Sequence, residues 1–534
     1  MTSQPGRAAP AQLQFNDAQS CVRWLESVPL THAPHAHELI ATQLGLLNGS
    51  TLPALERLKI LEALREPVLY IQGELAKSYL GKPVPLSIVE FSVWTGVTEL
   101  WQIMHRGYRQ CLHAYRAGER DIAPLGALMC LRALQYTNLG MLERFRIYRD
   151  AGEELWRQLH EIYAFAEARG FAGLPADEGV RGAQPSSTCT AVYAHALLAA
   201  LGNPYALTSR QMEIMFRWLD QWRDTVGLAR EPLPADAGPA LAVDLRGSAG
   251  AVASREIAPG ADARYLNLEQ LSKTLRRLLG LLRQGQSPGQ LGLGRDLGQP
   301  GCEKLLTLLY IQWCGAGTGR INERTQAARS VLVCGGMHAT HFHVGGKPFR
   351  QPGASRTREE ESDLHLFGHV TERTLRSLVS QPSAASESWQ LVNQNAAGFL
   401  GLVRPADLDT RIAHLQLVAI KREAGSGFQA GVVQWMKAED NGELFVGVRL
   451  LPGAPRAVAI RGTGAAVAPG RFERAVLLPE APELQAPASL VMAPGTFQPG
   501  RFFDLYTDRA SVVKVNRLIE RGADFERADI IVPR

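Results

Sequence analysis

The sequence predicts an α+β protein, an all-α N-terminal region followed by a C-terminal antiparallel β-barrel. Three observations carry this. Apolar residues recur at three- and four-residue intervals from about Phe15 to Trp222, the period of an amphipathic helix. From Glu387 to Arg461 short runs rich in Val, Ile, Leu and Phe alternate with turn clusters, the signature of strands. Between VVQWMK and ELFVGVRLL stands Asp440-Asn441-Gly442, where Asn-Gly is expected to supply the positive φ angles of a tight hairpin turn.

Taken in order, residues 1–14 read as a disordered lead-in without the apolar core of a secretory signal. Residues 15–224 form the helical domain. Leu39, Ile40, Gln43, Leu46 and Leu47 mark one helix face, a long helix runs from Pro53 to Tyr79, and others follow at about 86–117, 122–148 and 150–168. Gly81 to Pro85 and Gly173 to Pro175 punctuate them. Residues 225–314 read as a mixed connector, with a short strand at Ala240 to Leu245, a helix with core-facing leucines at 268, 271, 275, 278, 279 and 282, and another at Cys302 to Cys314. Residues 315–465 are assigned to the barrel. Its first strand, or a bent strand pair, is read at Arg329 to Val344, and a helical insertion is placed near 355–380. Residues 466–534 keep strand-sized runs (RAVLLPE, SLVMAPG, RFFDLYT, ASVVKVNRLIER), either extending the barrel or forming a second small β subdomain.

The chain has 534 residues, 46% of them apolar and 20% charged, enough to bury several cores. No uninterrupted apolar run reaches the length of a transmembrane helix, so a cytoplasmic location is expected. Seven scattered cysteines without CxxC spacing argue against a disulfide framework or a cysteine-rich zinc module. The net charge of +5 suits an anionic ligand without naming one. Neither GxxxxGK[ST] nor GxSxG occurs, and the glycine runs at 292–298 and 315–319 follow helices instead of strands, so no nucleotide fingerprint or catalytic elbow is present. Cys334, His338, His341 and His343 lie within ten residues. On a strand His341 and His343 share a face that His338 does not, and no carboxylate accompanies them, so they are read as histidines of a barrel strand and no metal is expected.

Two further patterns stand in a telling order. Arg320-Ile-Asn-Glu-Arg324 precedes the first barrel strand, and Asn393-Gln-Asn395-Ala-Ala-Gly398 opens directly into the apolar strand Phe399 to Val403. With the downstream GVVQW and GVRLL, this resembles PilZ domains, the small bacterial barrels that bind cyclic di-GMP through R-x-x-x-R and a later [D/N]-x-S-x-x-G. The serine position holds Asn395 here, and the two halves stand unusually far apart, so the match is to an atypical PilZ-domain protein. The resemblance implies Arg320, Arg324, Asn393, Asn395 and Gly398 as ligand-binding residues, since arginine forks bond phosphate oxygens in pairs and stack on guanine. Read without it, Arg320 and Arg324 are a solvated linker, Asn393 and Asn395 ordinary turn chemistry, and Gly398 a strand-start glycine. The function implied is that of a non-enzymatic cyclic di-GMP receptor that converts messenger level into control of type IV pili, motility or attachment through a protein partner, without binding nucleic acid. The alternative is a PilZ-like interaction scaffold that no longer binds nucleotide.

Overall fold

The computed structural model describes residues 12–176, 187–234, 240–315, 325–352, 358–367, 371, 385–408, 410–422, 427–463, 470–507 and 509–532. The chain divides into two compact units, Met1–Lys82 with Leu86–Gly319, and Pro83–Pro85 with Arg320–Arg534.

The first unit holds helices α1 (Ala18–Leu25), α2 (Ala33–Gly49), α3 (Ala54–Ala76), α4 (Ile88–Arg116), α5 (Gly126–Arg146), α6 (Glu153–Ala168), α7 (Cys189–Leu201) and α8 (Ser209–Trp222). Side chains set several starts. Ser87 accepts from the Glu90 amide while the Glu90 carboxylate accepts from that of Ser87, a reciprocal cap repeated by Thr208 and Gln211. Within the bundle Arg132, 1% exposed, bonds Glu62 at 3.0 Å, and Tyr108 donates to the same carboxylate at 2.7 Å, so the buried charge is compensated. The connector adds β1 (Gly227–Ala229), β2 (Leu241–Asp244), β3 (Val252–Ala253) and β4 (Ala263–Asn267), paired in the order β1-β4-β2-β3, then α9 (Glu269–Arg283) and α10 (Gln299–Cys314). The leucines at 271, 275, 278, 279 and 282 are buried along one face of α9, as their spacing requires.

The second unit contains two closed six-stranded barrels. The first uses β5 (Thr325–Gly335), β6 (Glu387–Gln394), β7 (Phe399–Arg404), β8 (Leu417–Lys421), β9 (Gln429–Ala438) and β10 (Leu444–Leu450) in the closed order β10-β7-β6-β5-β8-β9. The second uses β11 (Arg456–Thr463), β12 (Glu473–Leu478), β13 (Ser489–Met492), β14 (Phe502–Tyr506), β15 (Ala510–Arg521) and β16 (Glu526–Ile531), closed as β11-β12-β13-β16-β15-β14. The change from one barrel to the other thus falls between Leu450 and Arg456, earlier than the 465 that composition suggested. The physical break is Leu451-Pro-Gly-Ala-Pro455, whose two prolines cannot donate to a ladder.

Two local readings are corrected. The segment read as strand from Arg329 to Val344 is β5 only to Gly335, and Gly336–Gly345 is a helix, α11. Gly336 turns with φ +88°, and the left-handed Gly346 closes the helix by donating to the Phe342 carbonyl at 2.8 Å. Glycine pairs on both sides of eight residues were the overlooked signal. The helix α12 (Arg358–Phe367) lies inside the span expected near 355–380, most of which is outside the described residues. In the β9–β10 hairpin only Gly442 has positive φ, +89°. The loop runs from Glu439 to Glu443, which bond each other, and Asn441 accepts the Glu443 amide through its side chain, so it is wider than a two-residue turn.

The barrels share a core. Val458, Ile460, Ala475, Leu490, Met492, Phe503 and Val515 cluster with Val513 and Ala528 in the second barrel. The opposite faces of β12 and β13, Val476, Leu478 and Val491, pack with Phe525 against Leu417, Ala430, Val432 and Leu451. This two-sided burial explains why RAVLL and SLVM are apolar at consecutive positions instead of alternate ones. The loop between β15 and β16 completes the joint. Ala523 donates to the Leu415 carbonyl, and the Asp524 carboxylate accepts from the Leu417 amide, both at 2.9 Å. Leu415 is held at φ +59°, a costly backbone for leucine.

Burial raises the Asp524 carboxyl from its ordinary 3.8 to about 6. The folded state therefore holds this proton more tightly than the unfolded one. The associated stability is complete below about pH 4 and is lost as pH rises through about 6. Asp524→Asn keeps an acceptor for Leu417 and is expected to remove this part of the pH dependence, making the variant more stable at pH 7 by roughly 1 to 3 kcal/mol. Unfolding of both proteins from pH 4 to 7 checks it; parallel curves would contradict the assignment.

Candidate functional site

The turn Asn395-Ala396-Ala397-Gly398 joins β6 to β7 on the first barrel. The Asn395 amide donates to the Phe399 carbonyl at 3.0 Å, and the Phe399 amide returns a bond to Asn395 Oδ1 at 2.9 Å. The side-chain oxygen at the resemblance's serine position is thus engaged inside the turn, the local chemistry asparagine favours. Gly398 stands at φ +79°, where a side chain would be strained, and its carbonyl accepts the Leu450 amide at 2.9 Å. That bond ties the turn to the end of β10. Asn393 pairs with Gly401 across the ladder, and a Cβ at Gly401 would lie 2.6 Å from Asn393 Oδ1, so the asparagine side chain occupies the space glycine leaves.

Beside the turn lies a cavity of about 860 Å3, within the range of small-molecule sites. Gln394, Ala396, Ala397 and Gly398 form one side. The interbarrel segment Leu451 to Pro455, Val344 of α11, and Leu484 and Ala486 of the second barrel contribute the others. Arg329, Arg422 and Arg449 line it together with Phe428, and among the described residues no carboxylate does. Arg422 Nη1 reaches Gln394 Oε1 at 3.5 Å, a long hydrogen bond, and Arg449 Nη2 pairs with Glu520 of β15 at 2.5 Å. The Phe428 ring lies 4.7 Å from that of His343, with the Lys421 ammonium 6.0 Å from its centroid. Such a lining suits an anion carrying flat rings, because guanidinium forks bond phosphate oxygens and aromatic faces stack on bases.

Of the residues expected to bind, Gly398 lines this cavity; Asn393 and Asn395 shape the turn behind it. Arg320 and Arg324 lie outside the described residues. Thr325, which follows Arg324, pairs with Gln394 at the foot of the turn. Arg329, Arg422, Arg449 and Phe428 escaped sequence reasoning because they sit on separate strands and loops. Only the register reveals them: Arg449 stands opposite Phe399, the first residue after the turn.

His338, His341 and His343 lie on α11 and not on a barrel strand. His341, buried on α11, has its Nε2 3.2 Å from the Val458 carbonyl, and burial lowers it to about 4, so it is neutral near pH 7. Among the described residues no three His, Cys, Asp or Glu side chains gather as metal ligands, and no helix is long and apolar enough to cross a membrane.

Comparison with known proteins places these features. Two family models match, "Cyclic-di-GMP receptor FimW, N-terminal domain" over residues 19–234 and "FimW C-terminal beta-barrel domain" over 458–530, together more than half of the chain. The second span coincides with the second barrel, and the first barrel with its turn lies between the two spans, while the cavity also takes Leu484 and Ala486 from the second. The cyclic-di-GMP receptor FimW of Pseudomonas aeruginosa is 21% identical, over 91% of this chain and 86% of that protein. No solved structure matches. The chain carries both the N-terminal and the C-terminal domain of the FimW family.

The turn geometry is testable by stability. Gly398→Val is expected to destabilise the protein by roughly 1 to 3 kcal/mol through the forced positive φ, and Asn395→Ala by about 1 kcal/mol through the lost bond to Phe399. Asn395→Ser should cost less than Asn395→Ala, since its hydroxyl can accept the same amide. Urea unfolding measures all three, and a Gly398→Val midpoint equal to that of the wild type would refute the geometry.

Proposed function

We propose that this chain, with both domains of the FimW family, is a cyclic di-GMP receptor that binds its ligand on the first barrel, at the β6–β7 turn and the cavity beside it. The observation that carries this reading is the pairing of the Asn393 to Gly398 turn with a cavity lined, among the described residues, by Arg329, Arg422 and Arg449 and by no carboxylate. Arg320 and Arg324 are proposed as the first arginine pair. Arg324 is covalently next to Thr325, whose ladder partner is Gln394, the last residue of β6 before the turn. An arginine can bond a phosphate oxygen pair or stack on a guanine. Asn393, Asn395 and Gly398 act in this reading mainly by holding the turn open toward the ligand.

The receptor works without bond-making chemistry, in the cytoplasm, and passes messenger level to pili, motility or attachment through a protein partner. The interaction-scaffold reading has one observation in its favour: Asn395 spends its side-chain oxygen within the turn. Calorimetric titration of the full chain with cyclic di-GMP separates the two. Saturable binding is expected, and Arg320→Ala and Arg324→Ala should each weaken it at least tenfold, because a charge-assisted contact is worth about 1.5 to 3 kcal/mol. Unchanged affinity in both variants would remove these arginines from the site, and no heat from the wild type would favour the scaffold.

A further inference from the structure

Arg449 belongs to the first barrel, yet its ion-pair partner belongs to the second. Arg449 lines the cavity and stands opposite Phe399 in the ladder, and its guanidinium bonds Glu520 of β15. Both side chains are half-buried, at 26% and 20% exposure, which keeps the pair stronger than a surface pair and still within reach of a ligand. In a cavity whose described lining has no carboxylate, Glu520 supplies the negative charge that faces Arg449.

We propose that Glu520 is a built-in stand-in for the ligand's phosphate, so that cyclic di-GMP binds by displacing Glu520 from Arg449 and is thereby read directly by the second barrel. The inference rests on the receptor reading above. Three features of the site fit it. Arg449 already holds a carboxylate through its guanidinium, and a phosphate presents the same paired oxygens with more charge. Among the described residues Arg422 is held by the neutral Gln394 alone, at the long limit of a hydrogen bond, and can turn from it toward an arriving anion. Phe428 offers a ring face beside them for one of the two bases.

Displacement does not strand Glu520. Its ladder partner on β16 is Arg527, 4% exposed, whose Nε donates to Ser489 Oγ. A carboxylate leaving Arg449 therefore stays beside a second buried cation, and the exchange avoids the cost of an uncompensated charge. The ladder between β15 and β16 is irregular at this point, with register shifts between Val515 and Leu518 and between Leu518 and Glu520. Such bulges re-aim side chains, and this one sets Glu520 between Arg449 and Arg527. The ligand acts only through its different affinity for the paired and exchanged states, and the second barrel feels it with equal strength in return.

Calorimetry with cyclic di-GMP on the full chain tests this with Glu520→Gln, Arg449→Gln and the double variant. Glu520→Gln should bind about tenfold tighter, because the competitor is gone; Arg449→Gln should bind at least tenfold weaker; and the double variant should match Arg449→Gln. Wild-type binding with unchanged affinity in both single variants would overturn the exchange and leave the receptor reading standing. Absence of wild-type binding would overturn both. If Glu520→Gln does not fold, hydrogen exchange of the wild type decides: Leu518 to Arg521 should exchange faster with ligand bound, and unaltered exchange there would refute the proposal.

Discussion

The second unit depends on a core that neither barrel could make alone. Phe525, in the loop between β15 and β16, is fully buried with Leu417, Ala430 and Val432 of the first barrel and Val476, Leu478 and Val491 of the second. A small barrel ordinarily turns one face of each strand to solvent. Here β12 and β13 bury both, and apolar burial at about 25 cal/mol per Å2 makes such a contact much stronger than the hydrogen bonds at its rim. Asp524 and Leu415 show what the joint tolerates in exchange, a carboxyl raised by burial and a leucine in a left-handed conformation. Segment 451–455 can be short because the core, and not the linker, holds the barrels together.

That joint also defines the candidate site. The cavity has the β6–β7 turn on one side and residues of the linker and second barrel on the other, so its shape requires both barrels to be docked. Its charge does as well, since Arg449 is balanced by Glu520 across the joint. A ligand that enters therefore meets groups from both barrels at once, which gives binding a short physical route to the C-terminal domain.

The parts of this arrangement legible in the sequence were those set by local patterns. Helical periodicity marked the bundle, alternation and Asn-Gly marked the β9–β10 hairpin, and the N-x-N-x-x-G run marked the β6–β7 turn whose Gly398 requires positive φ. What escaped was set by contacts between distant segments. The eight residues after Gly336 looked like a strand because apolar and histidine residues alternate in them. They form a helix because Ala339 and His341 are buried between barrels whose positions only the fold supplies. The barrel boundary was misplaced for a related reason: β11 has the same composition as the strands before it, and only its pairing with β12 and β14 assigns it to the second barrel. The cavity arginines are spread over 120 residues and no spacing rule joins them.

In the proposed complex the ligand sits where the two barrels meet. Hydrogen exchange of the full chain with and without saturating cyclic di-GMP tests it most directly. Ligand-dependent protection is expected at residues 393–399 on the turn together with 449–454 at the end of β10 and in the linker. Protection confined to the helical unit, with both of these segments unchanged, would contradict it.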